Sequence, residues 1–203
     1  MRSADELEIL DLVPLEGGTF SAQLVPQIAA LLEKHGKSKD DISAFAVAAG
    51  PGSFTGLRVG LAAIKALAEI LNKPIASVSR LEAVARSGKF RERILAALDA
   101  GRNEIYVGEY DLTAGAQAIG ERLVTRDEFL NCAREWKVVT PEQSIAEASR
   151  TAGFEVDEVE RPTSAAIARI GWEKISQGLT TSPEDLEANY IRGTDAEIFA
   201  KKL

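Results

Sequence analysis

The sequence predicts an α/β protein made of two lobes. Residues 45–71 combine a short uncharged apolar run, a glycine-rich turn and a long stretch with apolar residues at helical spacing, which indicates a strand, a loop and a helix. In the second half of the chain, short apolar runs alternate with helical patterns, which predicts a mixed sheet covered by helices. The charged link 89–93 separates the two regions. We therefore place the first lobe at 1–90 and the second at 91–178, with the tail 179–203 packing back on the first lobe.

The composition limits the function. The 203 residues have a net charge of −7, with one histidine and one cysteine. Such a chain is not expected to hold nucleic acid by itself, because neutralising phosphates requires clustered lysine and arginine. We expect Cys132 to be a small buried residue on a helix, and His35 to be a surface residue in the last turn of another helix. Histidine-based metal sites and Ser–His–Asp chemistry are therefore excluded.

No apolar run is long enough to cross a bilayer, and the first residues do not form a signal-peptide pattern. The sequence therefore favours the cytoplasm, without contact to a membrane.

In the first lobe, residues 7–15 alternate moderately in polarity and predict a strand that ends at the turn Glu16-Gly17-Gly18. Ser21 can cap a helix that extends to His35, although Pro26 fits only in a first turn. The remaining predicted elements of this lobe are a strand at 45–49, a helix at 57–71, a strand at 75–78 and a helix at 81–87.

The second lobe opens with a predicted hairpin, in which strands at 94–98 and 104–110 are joined by the turn 99–102. Thr125 and Glu128 have the spacing of a capping box, which predicts the start of a helix. The other elements are expected to be strands at 118–123, 137–139 and 155–159 and helices at 141–152 and 163–177.

The loop between the first-lobe strand and helix is rich in glycine. A strand, glycine loop and helix in this order point free backbone N–H groups at an anion. However, the loop lacks the Gly-Lys-Ser/Thr ending of a nucleotide P-loop and the glycine spacing of the Rossmann fingerprint. A tight turn without a ligand explains the glycines equally well. The loop residues are Gly50, Pro51, Gly52, Ser53, Phe54, Thr55 and Gly56, with Arg58 one turn into the helix.

The sequence of this loop, GPGSFTGLRVG at 50–60, resembles that of the TsaB (YeaZ) family, whose members are partners in making threonylcarbamoyladenosine in tRNA. The resemblance continues in order through PIASVSRLEA at 74–83, ALDAGRNEIY at 97–106 and EANYIR at 187–192. It implies the two-lobed actin/Hsp70/sugar-kinase-like (ribonuclease H-like) fold. It also implies two earlier strands with an Asp-Thr/Ser signature, and no stretch before residue 45 matches them. We therefore expect a first lobe that is N-terminally incomplete, by truncation or naturally, and has an exposed sheet edge.

The helix at 57–71 has a narrow polar face, so we expect it to be covered on two sides. One side would pack on the sheet, and the other could meet a helix of the same chain or of a partner. The resemblance implies a heterodimer with a TsaD-type transferase, together with a TsaE-type ATPase and with tRNA reached only through the complex; a homodimer is also possible. The predicted interface, on this helix and the helix at 21–35, consists of Leu24, Ile28, Leu31, Gly60, Ala63, Ile64 and Leu67.

The resemblance implies a non-catalytic role. The catalytic TsaD-type paralogue has a His-x-x-x-His metal pair after the glycine loop, and the matching residues here are Arg80 and Val84, which cannot ligate a metal. In the second-lobe turn, Asp99 stands where an anion would prefer backbone N–H groups; Arg102 could compensate, but an aspartate there is more simply explained as a turn former. We therefore expect no cofactor, no metal and no catalytic residue, and ATP or ADP binding by this chain alone is disfavoured. The alternative is an ATP-dependent phosphotransferase or a peptidase-like enzyme of the same fold.

Overall fold

The computed structural model describes residues 7–15, 20–113 and 115–192, with the backbone alone for Phe20 and Glu135. The elements in chain order are α1 (Phe20–Lys34), β1 (Phe45–Gly50), α2 (Phe54–Leu71), β2 (Ile75–Ser79), α3 (Arg80–Ser87), β3 (Arg93–Gly101), β4 (Glu104–Asp111), β5 (Gln117–Thr125), α4 (Arg126–Cys132), β6 (Lys137–Thr140), α5 (Gln143–Thr151), β7 (Val156–Glu158) and α6 (Ser164–Ser176).

The chain divides into two compact units. The first takes its described residues from Met1–Ser79 and Pro162–Ala188, and the second takes them from Arg80–Arg161 and Asn189–Leu203.

The first unit is built on two parallel strands, β1 and β2, with helices on both faces. Successive side chains of a strand point to opposite faces of the sheet. Phe45 and Val47 of β1 pack in a cluster with Leu61 and Ala68 of α2, whereas α6 lies against the opposite face. Beyond α6, Thr181 pairs with Ile75 in antiparallel fashion and so covers the outer edge of β2.

Gly171 allows α6 to lie unusually close to the sheet. A Cβ atom built on this glycine would be 2.3 Å from the Cβ of Ala46 and 3.6 Å from that of Ala76, and these two alanines are paired in the β1–β2 register. Any larger residue at position 171 must therefore push the helix away from the strands.

The second unit is a five-stranded mixed sheet in the order β5-β4-β3-β6-β7. β3, β4 and β5 are antiparallel neighbours, and β6 and β7 continue the sheet in parallel with β3. Alternate residues of β3 supply two cores. Ile94 and Leu98 pack with Leu81 and Val84 of α3, while Leu95 packs with side chains of α4 and α5, among them Phe129 and Ile145. The predicted hairpin and the Thr125–Glu128 capping box are both present.

The division into units differs from the predicted lobes in three places. The first unit ends at Ser79 rather than at residue 90, since α3 packs on the second sheet. Helix α6 lies close to the predicted bounds 163–177 but belongs to the first unit, because Gly171 seats it on β1. The tail from residue 189 belongs to the second unit, where Asn189 donates a hydrogen bond to Glu121 and Arg192 pairs with Glu104. Residues 193–203 lie outside the described residues.

Two predictions near the start of the chain are wrong. Residues 7–15 form no strand. Instead, Asp11 binds the end of α1, with its carboxylate 2.6 Å from Lys34 Nζ and 3.1 Å from His35 Nε2. Ser21 is not the N-cap of α1, because the helix already begins at Phe20. The predicted turn 16–18 lies outside the described residues.

We expect Gly171→Ala to lower the free energy of unfolding by about 1–3 kcal/mol, as overpacking of a tight contact generally does. The matched control is Gly60→Ala in α2, where an added Cβ would meet nothing within 4 Å. That change should instead stabilise the helix by about 0.5–1 kcal/mol. Urea unfolding of both variants checks the pair, and equal midpoints would contradict the close contact at Gly171.

Asp11 should make the stability depend on pH. Hydrogen bonds from Lys34, and then from His35, lower the pKa of its carboxyl to about 2, whereas the pKa of an aspartate in an unfolded chain is about 4. Because the folded pKa is the lower one, the stabilisation is complete above pH ~4 and is lost as the pH falls toward ~2. Urea unfolding across this range should show a smaller pH dependence for Asp11→Asn than for the wild type.

The control for that experiment is Asp40→Asn, which removes an exposed carboxylate beside Lys39. If the two asparagine variants show the same pH dependence as each other, the ion pairs of Asp11 do not hold residues 7–15 to α1.

Candidate partner interface

The glycine loop forms a tight cap for α2. Ser53 is the N-cap residue, and its Oγ accepts a hydrogen bond from Gly56 N at 3.3 Å, while Leu57 N donates to Ser53 O at 2.9 Å. Gly50 has a φ of 123°, a conformation that favours glycine, and a cis peptide bond joins it to Pro51. Two N–H groups of the first turn are therefore already bonded to Ser53.

Helix α2 has one buried side and one exposed side. Leu61 and Ala68 are buried, and Ile64 and Leu67 pack against the same first-unit cluster. The residues on the opposite side follow the helical period and are small or apolar. They are Val59, which is half-buried, and Ala62, Ala66 and Ile70, which are exposed; the exposed fraction of Ile70 is 79%.

Helix α1 packs against α2 and exposes a similar set of residues. Its exposed residues at helical spacing are Ala22, Val25, Pro26 and Ala29. They contain neither a charge nor a side-chain hydrogen-bond donor. We call these four residues together with Ala62, Ala66 and Ile70 the two exposed stripes.

The structure places the sequence-predicted interface residues beside these stripes rather than on them. All seven are half-buried: Leu24, Ile28, Leu31, Gly60, Ala63, Ile64 and Leu67. Leu31 lines a cavity of about 470 Å³ that is also lined by residues 7–11 and by Ala46 of β1. The prediction chose the side of the helix with Gly60, Ala63 and Leu67, which is half-buried in the structure, and so did not include the exposed residues Ala62 and Ala66. The helical period places Ala62 and Ala66 opposite Ala68, so the sequence contained the information needed to identify them as a separate face of the helix.

In the second-lobe turn, Asp99 acts as a turn-forming residue. Asp99 Oδ1 accepts a hydrogen bond from Gly101 N at 3.1 Å, and Arg102 and Asn103 both have positive φ angles, of 55° and 62°. The side chains of Asp99 and Arg102 are exposed. Asp99 thus stabilises the backbone of this turn, which is its simplest role.

Arg80 and Val84, which the family resemblance places at the metal-ligand positions of a TsaD-type protein, lie on α3. Val84 is fully buried in the second unit's core. Burial, followed by the charge of Arg161, lowers the pKa of the Arg80 guanidinium. Within the described ranges, no cluster of three histidine, cysteine or acidic side chains is arranged to hold a metal ion.

Cys132 is half-buried at the end of α4, and its Sγ donates a hydrogen bond to Phe129 O at 3.3 Å. Burial raises the pKa of this thiol, which disfavours the nucleophilic thiolate. Among the described helices, none has the length and apolarity needed to cross a membrane.

The chain matches the model of a protein family described as TsaD, tRNA N6-adenosine threonylcarbamoyltransferase, over residues 17–179. It is 29% identical over 188 residues to the Escherichia coli tRNA threonylcarbamoyladenosine biosynthesis protein TsaB, covering 86% of this chain and 81% of that protein. The Bacillus subtilis TsaB protein is 28% identical over 190 residues, covering 87% of this chain and 81% of the relative.

A solved structure from Pseudomonas aeruginosa, described as an uncharacterized protein with similarity to peptidase YeaZ, superposes with a TM-score of 0.68. The two sequences are 24% identical, and the match covers 84% of this chain and 83% of that one. Together with the family model, this likeness confirms the predicted actin/Hsp70-like fold. Since the family model spans well over half of the chain, the chain belongs to this threonylcarbamoyltransferase-type family, and within it to the TsaB (YeaZ) branch.

Proposed function

We propose that this chain is a non-catalytic subunit of the machinery that makes N6-threonylcarbamoyladenosine next to the tRNA anticodon. It binds and stabilises a TsaD-type transferase through α1 and α2, and it acts in the cytoplasm. Membership of the TsaB branch supports the pathway. The observation that supports the partner role is the pair of uncharged, small-residue stripes on two packed helices.

The stripes have the chemistry of a helix-packing surface. Alanine side chains let a second helix approach closely, at the short end of the usual interaxial range of about 8–10 Å. Ile70 is the largest apolar side chain of the stripes and is mostly exposed. Burying an isoleucine against a partner is favourable by about 1.5–3 kcal/mol, so Ile70 is a natural anchor of the contact.

The division of labour follows from what this chain provides. Neither Arg80 nor Val84 can serve as a metal ligand, so the TsaD-type partner provides the catalytic site. A net charge of −7 leaves the tRNA contacts to that partner as well. A TsaE-type ATPase completes the proposed assembly.

A peptidase-like enzyme is the second candidate, because the solved relative from Pseudomonas aeruginosa is described as similar to a peptidase. Such an enzyme would need an activated nucleophile. The half-buried Cys132, with its raised pKa, does not supply one, and its hydrogen bond goes to a backbone carbonyl. A phosphotransferase would depend on Asp99, which is engaged in its own turn.

The first test is size-exclusion chromatography of this chain with and without a TsaD-type protein from the same organism. We expect a stable heterodimer in the mixture, and modification activity only when both proteins are present. A homodimer of the isolated chain that persists when the transferase is added would contradict the proposal.

Ile70→Arg should weaken binding to the transferase at least tenfold, because it buries a charge where an apolar anchor is expected. The matched control is Ile119→Arg on β5, since Ile119 is also exposed (49%) but lies in the second unit. Isothermal titration of both variants checks the prediction, and circular dichroism verifies that both are folded. Equal affinities would place the contact elsewhere.

Nucleotide binding separates the partner role from a free-standing phosphotransferase. We expect titration of the isolated chain with ATP to show no binding at micromolar concentration. A micromolar dissociation constant would contradict the proposal that this chain is a partner subunit and not a phosphotransferase.

A further inference from the structure

Pro26 lies in the second turn of α1, inside a helix that continues on both sides of it. Proline has no backbone N–H, so it cannot donate to the carbonyl four residues earlier, which is that of Ala22. Proline is strongly disfavoured at interior helix positions for this reason and because its ring clashes with the preceding turn. The chain thus keeps an unfavourable residue in a helix that the sequence otherwise favours.

The Ala22 carbonyl lies within the proposed contact surface. Ala22 and Pro26 are both exposed members of the α1 stripe, and their neighbours on it are Val25 and Ala29. Because Ala22 is exposed, we expect water to reach this part of the backbone in the isolated chain. When another helix covers the stripe closely, that water is displaced, and a buried carbonyl without a donor is unfavourable.

We infer that the Ala22 carbonyl, freed by Pro26, is a hydrogen-bond acceptor that selects the partner of this chain. The partner places a side-chain N–H or O–H donor opposite it when it covers the α1 stripe. This inference rests on the proposed function, because it specifies what the TsaD-type transferase must present at the contact.

The test compares the wild-type chain with Pro26→Ala in binding to the TsaD-type transferase. Alanine restores the N–H, which lets the Ala22 carbonyl bond within the helix. We expect a higher unfolding temperature for the isolated variant and about tenfold weaker binding to the transferase, the effect of losing one good hydrogen bond. Unchanged affinity together with higher stability would overturn the inference.

A second variant separates the carbonyl from the shape of the helix. Replacing Pro26 with lactic acid introduces a backbone ester, which lacks both the N–H and the proline ring. We expect this variant to keep wild-type affinity, since the Ala22 carbonyl stays free. An ester variant as weak as Pro26→Ala would show that the ring, and not the carbonyl, determines binding.

Failure of the wild-type chain to bind the transferase at all would overturn the proposed function and this inference with it. Tight wild-type binding with no loss in Pro26→Ala would overturn the inference alone.

Discussion

The first unit depends on the close approach of α6 to β1 at Gly171 and Ala46. Two parallel strands alone have too little surface to be stable, so both of their faces must be covered. Helix α6 covers the face with Ala46 and Ala76, where the side chains are small enough to admit it only if position 171 has no Cβ. Helix α2 covers the face with Phe45 and Val47. Because one side of α2 packs on the sheet, its remaining side can face only solvent, α1 or a partner.

Local signals in the sequence predicted most elements but not their assembly. The β3–β4 hairpin and the Thr125–Glu128 capping box depend on residues close together in the chain, and both are present. The strand predicted at 7–15 failed because a strand needs a neighbour with which to pair, and Asp11 instead binds Lys34 and His35 of the first unit. Placing α6 required the Gly171–Ala46 contact between residues 125 positions apart, which no local pattern reveals.

The candidate interface shows the same division between pattern and assembly. Helical spacing correctly indicated that α2 has two apolar sides. It did not indicate which side meets the sheet, and the half-buried residues of α2 were taken as partner contacts. In the structure, Ile64 and Leu67 extend the core, whereas Ala62 and Ala66 face outward. Burial in a core stabilises the fold most when the apolar side chain is large, whereas a close contact between helices requires small side chains.

The exposed stripes combine features that are unfavourable in an isolated chain but compatible with a covered one. Ile70 leaves a large apolar side chain in water, and Pro26 weakens the helix in which it lies. Neither is needed by the packing of the first-unit core, whose buried members are Phe45, Leu61, Ala68, Ile75 and Leu186. Residues that break a local rule without a benefit to the fold tend to mark functional surfaces. Both violations lie on the two exposed stripes, so a single role in binding a partner accounts for them together.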